Sequence, residues 1–508
     1  MDLRSHIAAH RISLHSVHMT DVILSIDQGT TSSRTVVFSL NGQILFSAQE
    51  AFPQIYPQDG WVEHDPEKIW DTVLSTLKEA YTWAVDENFN VAAIGITNQR
   101  ETTLVWDRET GAPLYNAIVW QDRRTAEHCK ALADKLPVED LQAKTGLLHD
   151  PYFSGSKMAW ILDHVDGARG RAQAGELCFG TVDSFLIWRL TGGQSHVTDA
   201  TNASRTNLFD IHKQDWDDEL LELFNVPLAG LPDVLDCAGN FGTCAVLGKD
   251  IPITGVAGDQ QAAAVGQACF KAGDIKSTYG TGCFVILNTG DEAVISKNRL
   301  LTTVAYRLNG ETSYALEGSI FMAGASVQWL RDEMKLIEKA AETEAICEGL
   351  ESTGGVYLVP AFTGLGAPHW APDARGAVFG MTRGTGRDHL IRATVESVVY
   401  QTYDLFEAMG KDGVTPNALR VDGGMSANSW MCGYLSDILD MPVLRPTILE
   451  TTALGAAYLA GLGAGLYDGL DDVSEHWTAE REFNPTLSAQ TRETRLADWS
   501  KYVQKLLS

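Results

Sequence analysis

The chain has 508 residues, of which 66 are Asp or Glu and 39 are Lys or Arg, a formal balance of −27. So acidic a surface repels nucleic acid, and at 44% hydrophobic and 21% charged the composition is that of a globular protein with a sizeable core, spread over about two to four domains. No run approaches the roughly 18–20 apolar residues that span a bilayer, and the eight cysteines are scattered without a C-x-x-C pair, which argues against a disulfide framework or zinc knuckle and for a reduced, cytoplasmic setting.

Residues 1–20 carry Arg4, Arg11 and four histidines but lack the apolar centre of a secretory signal, and are expected to form a disordered leader, with Met19 a candidate start. His6 and His10 stand at helical spacing. With no carboxylate or cysteine beside them they are read as part of that leader rather than as a metal pair.

Val22–Ile26 and Arg34–Phe38 are apolar runs separated by a Gly/Thr/Ser turn, the pattern of a hairpin, and Asn41-Gly42 turns the chain again. From Asp65-Pro66 the period becomes helical: Asp65 is a cap, Pro66 opens the first turn, and Ile69, Val73, Leu77, Ala80 and Ala84 share a face. Strands are predicted at 91–97, 103–106 and 117–120 and a helix at 123–136, so the first half is α/β. A buried strand at 253–257 leads into a small-residue helix. The segment 273–287 then repeats the opening pattern of strand, Gly-Thr turn and strand, which marks the start of a second, related domain. A strand at 356–359, a helix at 389–409, a strand at 418–421 and helices at 429–439 and 492–507 follow, with 453–467 a tightly packed Gly/Ala helix. No linker separates the halves, so they are expected to pack around a shared cleft.

The sequence contains no G-x-x-x-x-G-K-[ST] loop, and no G-x-G-x-x-G between a strand and a helix. Asp27-Gln28-Gly29-Thr30-Thr31-Ser32-Ser33-Arg34 offers another way to hold phosphates: turn N–H groups, several hydroxyls and a guanidinium converge, and Asp27 could hold Mg²⁺ through water. Alone it is equally an ordinary polar turn. Tyr279-Gly280-Thr281-Gly282 in the other half supplies a second such turn, and Asp422-Gly423-Gly424 through Asn428 is a third glycine cluster, where backbone can approach a purine, or simply a helix entry capped by Ser426. Asp259 lies between a strand and a helix, either a cap or the carboxylate that phosphoryl transfer needs to accept a hydroxyl proton.

The segments IDQGTTSSR (26–34), TNQRETT (97–103), NAIVWQDRRT (116–125), DPYFSGSK (150–157), GDQQAA (258–263), STYGTGCF (277–284), FMAGASVQWLRD (321–332) and RVDGGMSAN (420–428) together resemble the FGGY carbohydrate kinases of the actin/hexokinase/Hsp70 ATPase superfamily, and within them the branch that phosphorylates glycerol. The resemblance covers residues 21 to about 485. It implies two actin-like (ribonuclease H-like) domains, each a mixed sheet flanked by helices, at 21–266 and 267–508, with the site between them. It further implies a polyol pocket of Arg100, Glu101, Tyr152, Asp259 and Gln260 walled by Trp120 and Phe284; ATP contacts from Thr30, Thr31, Ser32, Arg34, Thr281, Gly324, Gln328, Gly424 and Asn428; Mg²⁺ near Asp27 and Asp259; and a homodimer or homotetramer. The chemistry agrees, because three adjacent hydroxyls need both donors and acceptors around them.

The expected activity is therefore transfer of the ATP γ-phosphoryl group to glycerol, giving sn-glycerol 3-phosphate, with Asp259 as the base. The alternatives are a kinase for another small polyol or ketose, and a non-catalytic actin-like ATP-binding module. The stretch 242–250 departs from family members that bind fructose 1,6-bisphosphate or carry a phosphorylated histidine there, so insensitivity to the bisphosphate is expected.

Overall fold

The computed structural model describes residues 19–371 and 373–508, so the histidine pair and nearly all of the expected leader lie outside the described residues. Two large sheets organise the chain. In the first, the order is Ala238–Cys244, Ile251–Gly258, Phe89–Asn98, Thr20–Gln28, Ser32–Ser39 and Ile44–Ala51. The last three form an antiparallel meander, and the strands at 89–98 and 251–258 add to it in parallel. The second sheet repeats this plan. Ile275–Tyr279, Cys283–Gly290 and Glu311–Ile320 are the meander, Leu419–Asp422 and Val443–Pro446 the parallel pair, and Ala479–Phe483 the antiparallel edge. One further strand, Leu301–Leu308, lies outside strand 311–320. The echo between the two Gly-Thr turns is thus the first hairpin of each sheet.

Local chemistry explains the elements flanking the first sheet. Helix Pro66–Asp86 starts where the Asp65 carboxylate accepts from the Glu67 N–H, and it buries Ile69, Val73, Leu77, Ala80 and Ala84 in one cluster with sheet residues Val22, Leu24, Ile26 and Val37. Fully burying one such large aliphatic side chain stabilises the fold by about 1.5–3 kcal/mol. Two hydroxyl pairs, Thr72 with Ser33 at 2.8 Å and Thr76 with Thr35 at 3.0 Å, satisfy the polar groups trapped beneath the helix. The helix expected over 123–136 is shorter, Ala126–Ala133, because Arg124 is tied back to Asp122 through its N–H at 2.8 Å and its guanidinium at 2.7 Å, holding the chain in a turn.

The helix after the last parallel strand of each half sits on the seam between them. Asp259–Gly266 follows the first sheet and Thr451–Gly463 the second, and they pack on each other at Gly266 and Gly455. Helix 451–463 lies on the first sheet: a Cβ added at Gly255 would fall 2.1 Å from the Ala460 nitrogen, and one at Gly95 2.2 Å from the Ala456 oxygen. Ala453, Leu454, Ala457, Tyr458, Leu459 and Ala460 share a core with Ile23, Val36, Phe38 and Ala93. A division of the chain at residue 266 is therefore crossed by one helix. A small sheet of Glu63–His64, Ala117–Ile118, Thr103–Asp107 and Leu177–Thr181 stands beside the first sheet and carries the approach to Trp120.

Candidate active site

Strand 89–98 delivers Arg100 and Glu101 to the cleft. The turn is tight: the Thr102 N–H donates to the Arg100 carbonyl at 2.7 Å, and Glu101 is held at φ +60°. A non-glycine residue in that region costs on the order of 1–3 kcal/mol and persists only where its surroundings over-determine it. Here they do. One Glu101 carboxylate oxygen accepts from Arg205 Nε at 2.6 Å, and both side chains are almost wholly buried. The second oxygen takes no hydrogen bond among the described residues.

Asp259 opens helix 259–266 as its first residue, Gly258 being the cap, so its charge faces the positive end of the helix. The carboxylate accepts from the Gln260 N–H at 2.7 Å and pairs with Arg100 Nε at 3.2 Å, and solvent still reaches 32% of the side chain. Its recess raises its pKa through desolvation, which Arg100 and Lys276 partly offset. Gln260 is buried and its Oε1 accepts from the Lys276 ammonium at 2.5 Å, which turns the amide NH₂ into the group free to donate.

The apolar wall comes from both halves. Trp120 stands edge-on to Tyr152 at 5.7 Å and to Phe284 at 6.2 Å. Its indole N–H donates to the Thr30 hydroxyl at 3.1 Å, joining this wall to the Gly-Thr turn of the first sheet. Tyr152 also lies near the charges of Glu101 and Arg100, so the aromatic group borders the donors and acceptors of the polar set.

In the turn itself, Gly29 N–H closes on the Ser32 carbonyl at 3.0 Å, Thr31 is exposed, and the Ser32 hydroxyl accepts from Gln49 at 2.8 Å. Asp27 and Arg34 are register partners at the base of the hairpin. Burial pushes the Asp27 carboxyl up to about 6, against the pull of Arg34, with the charges of Glu450 and Asp259 adding to the rise. Arg34 is paired with Glu450, the residue before helix 451–463.

The second half contributes a facing set. The Gly280 and Thr281 carbonyls accept from the N–H groups of Gly324, Ala323 and Ala325 at 2.9–3.1 Å, so the second Gly-Thr turn and the start of helix Gly324–Asp332 form one unit. A Cβ on Gly324 would lie 2.5 Å from the Gly280 oxygen. Gly423, at φ +85°, carries the third cluster onto the same turn, where any side chain would strike Tyr279 backbone at 2.6 Å. Thr281, Gln328 and Gly424 are exposed around this junction. Asn428, rather than Ser426, caps helix Ser429–Leu439: its side-chain oxygen accepts from the Met431 N–H at 2.9 Å, and its amide donates to Thr343 at 3.2 Å.

Among the described residues no cluster of three or more His, Cys, Asp or Glu could enclose a metal. The charge of Asp259 adds to the cost of ionising Asp27, and two neighbouring carboxylates are the kind of hard oxygen donors that suit Mg²⁺, which keeps waters and binds through one or two carboxylates plus substrate phosphates.

Three buried charged residues at the centre are absent from the sequence-derived set. Arg205, Lys276 and Glu317 are 0% exposed. Glu317 holds Arg100 by two bonds of 2.6 and 2.9 Å and Arg205 by one of 3.0 Å. The signal was present: a lone charge inside an apolar strand, as in Tyr314-Ala-Leu-Glu317-Gly-Ser-Ile320, requires a buried partner.

The family description "FGGY family of carbohydrate kinases, N-terminal domain" matches residues 22–266, and its C-terminal counterpart matches residues 275–464. The chain is 61% identical to a glycerol kinase of Alteromonas mediterranea over 95% of its own length and 99% of that protein's, and 60% identical to one of Rhodospirillum centenum over 96% and 98%. Among solved structures, Plasmodium falciparum glycerol kinase with ADP is similar at a TM-score of 0.91 and 38% identity, covering 96% of this chain and 99% of that one. A ligand-bound xylulose kinase from Lactobacillus acidophilus has a TM-score of 0.85 at 22% identity over 95% and 97%, a likeness of fold. The chain belongs to the FGGY family of carbohydrate kinases.

Proposed function

We propose that the chain transfers the γ-phosphoryl group of ATP to a terminal hydroxyl of glycerol, giving sn-glycerol 3-phosphate and ADP. The observation that carries this reading is the recess in which Arg100, Glu101, Asp259 and Gln260 face the aromatic wall of Trp120, Tyr152 and Phe284. The likeness to curated glycerol kinases across nearly the whole chain supports it.

In this mechanism Glu101 and Asp259 accept from the polyol hydroxyls while Arg100 and the Gln260 amide donate. As the attacking oxygen bonds to phosphorus, its proton passes to the Asp259 carboxylate, and the bond from phosphorus to the β,γ-bridging oxygen breaks with its electron pair leaving on ADP. Thr30, Thr31, Ser32 and Arg34 receive the phosphates from the first half. Thr281, Gly324, Gln328, Gly424 and Asn428 frame the nucleotide from the second. Asp27 and Asp259 would hold Mg²⁺, which would supply charge neutralisation on the phosphates. Closing the halves excludes water and reserves ATP for the polyol.

We divide the chain into a polyol- and phosphate-binding domain at 21–266 and a nucleotide-binding domain at 267–508, helix 451–463 being shared. Among the described residues no helix is long and apolar enough to cross a membrane, and we assign the chain to the cytoplasm as a homodimer or homotetramer. The test is ADP release from Mg-ATP with glycerol, dihydroxyacetone, erythritol or xylulose, with the product identified by phosphorus NMR. Glycerol-dependent turnover to sn-glycerol 3-phosphate is expected. Turnover with another polyol alone would refute the substrate, and none with any polyol would refute the reaction.

A further inference from the structure

The polyol-binding side chains are held by a carboxylate from the other sheet. Glu317 sits in mid-strand, opposite Ile286 on one side and Leu301 on the other, and is 0% exposed. Arg100 follows a strand of the first sheet, and Arg205 follows the short helix Ala200–Ala203 of the same half. Glu317 spans both guanidinium groups, taking Arg100 Nη1 and Nη2 in a two-point fork and Arg205 Nη2 on the same oxygen that accepts from Arg100 Nη2.

This geometry fixes what each arginine has left to offer. Arg100 spends Nη1 on Glu317 and Gln261 and one Nη2 proton on Glu317, so its Nε–H is turned to Asp259 and its remaining Nη2–H is left to donate. Arg205, gripped at Nη2, presents Nε to Glu101 and sets which of that carboxylate's oxygens stays open. The planar fork allows one orientation per guanidinium, and a lysine at either place would not be so constrained.

Arg100, Arg205 and Lys276 stand among the carboxylates of Glu101, Asp259 and Glu317, with buried Asp422 also acting on Lys276. The carboxylates differ in kind. Burial raises Glu101 and Asp259, whereas the two arginines hold Glu317 down at about 2 in spite of its burial. Glu317 takes three hydrogen bonds from the two arginines, while Glu101 has one oxygen without a hydrogen bond among the described residues and the Asp259 side chain is 32% exposed.

We propose that Glu317 is a positioning residue for polyol binding, acting through Arg100 and Arg205 so that the pocket is assembled only when the second sheet is docked against the first. The proposal rests on the reading of the chain as a polyol kinase. It is tested with Glu317→Gln, which keeps the volume and removes the charge, and with Arg205→Lys, which keeps the charge and removes the fork. Each should raise the glycerol KM by about tenfold or more, with a smaller fall in kcat and an ATP KM within about twofold of wild type. Calorimetric titration should show the same loss of glycerol affinity. Combining Glu317→Gln with Arg205→Gln, which removes the stranded cation, should cost less than the sum of the two single changes.

A wild-type glycerol KM in either soluble variant overturns the proposal. So do parallel changes in kcat and both KM values accompanied by a lower melting temperature, and so does insolubility of both variants, each of which would mark the cluster as purely structural. A wild-type protein without polyol-dependent ADP release fails the functional reading itself, whereas an active wild type with unaffected variants fails only this inference.

Discussion

Gly455→Ala would test whether the two seam helices set the position of the base. The added methyl would lie 1.7 Å from the Ala262 carbonyl oxygen, 2.6 Å from its carbon and 2.9 Å from the Gly266 nitrogen, all atoms of helix backbone that no rotamer change can move aside. Helices 259–266 and 451–463 would have to part by more than an ångström. Overpacking of this kind costs ~1–3 kcal/mol, and alanine returns roughly 1 kcal/mol in helix propensity; a contact as short as 1.7 Å belongs at the upper end of that cost, so we expect a net loss of about 1–2 kcal/mol. Asp259 opens the displaced helix, and a misplacement of about 1 Å near the chemistry is worth on the order of 10² in rate. Thermal unfolding and kcat/KM for glycerol are the measurements. Gly410→Ala is the control, because that helical position has nothing within 4 Å of an added Cβ and should gain about 0.4–1 kcal/mol. Wild-type melting and wild-type kcat/KM in Gly455→Ala would refute the argument.

Asp259→Asn should lower kcat by about 10²–10⁴ with a smaller change in glycerol affinity, and near-normal turnover would remove Asp259 as the base. Because burial raises the Asp259 pKa above 3.8, kcat/KM for glycerol should fall on acidification with a midpoint above that value, and the acid limb should vanish in Asp259→Asn. Trp120→Phe keeps the wall but removes the indole bond to Thr30; the loss of about 0.5–1.5 kcal/mol should be read in kcat/KM for glycerol and ATP together, and a change confined to glycerol would sever the wall from the phosphate turn. Asp183 is buried and pushed up to about 7, so its contribution to stability is complete below pH 3.8 and is lost as the pH rises through about 7. Asp183→Asn should accordingly raise the melting temperature more at pH 8 than at pH 4, and an equal effect at both would refute the assignment. Micromolar fructose 1,6-bisphosphate should leave turnover unchanged, and inhibition would show that the 242–250 hairpin or another surface binds it.

What the sequence revealed is what short-range pattern encodes. The Asp65-Pro66 start, the 3.6-residue face from Ile69 to Ala84, the Gly-Thr turns and the Asn41-Gly42 reversal all depend on neighbours within a few residues, and the structure has them where expected. Helix 429–439 agrees to the residue, although its cap is Asn428 and not Ser426, since a one-turn 3₁₀ segment intervenes. Arg100 and Glu101 were legible through resemblance, as was the aromatic wall. The buried partners that hold the polar side chains were not. Arg205, Lys276 and Glu317 come from three distant segments and meet only because two sheets face each other, and period or spacing carries no trace of that pairing. Helix 451–463 shows the same limit: apolar on every side, it announced burial without saying which sheet would bury it.

That helix also constrains how the chain is made. The first sheet reaches its last parallel strand at Gly258, yet the face formed by Ile23, Phe38 and Ala93 is not covered until residues 451–463 have been synthesised. A nascent first half can close the core between its sheet and helix 66–86 but leaves the ribosome with the other face of that sheet open, and must wait for most of the second half before that face is covered, a strongly non-local step. The two halves share one plan, but they are unequal: the main core of the second is built entirely from residues 275–503, whereas one face of the first is covered only by helix 451–463. A fragment ending at 266 should aggregate, while a circular permutant that opens elsewhere and keeps helix 451–463 in the same chain should remain able to fold.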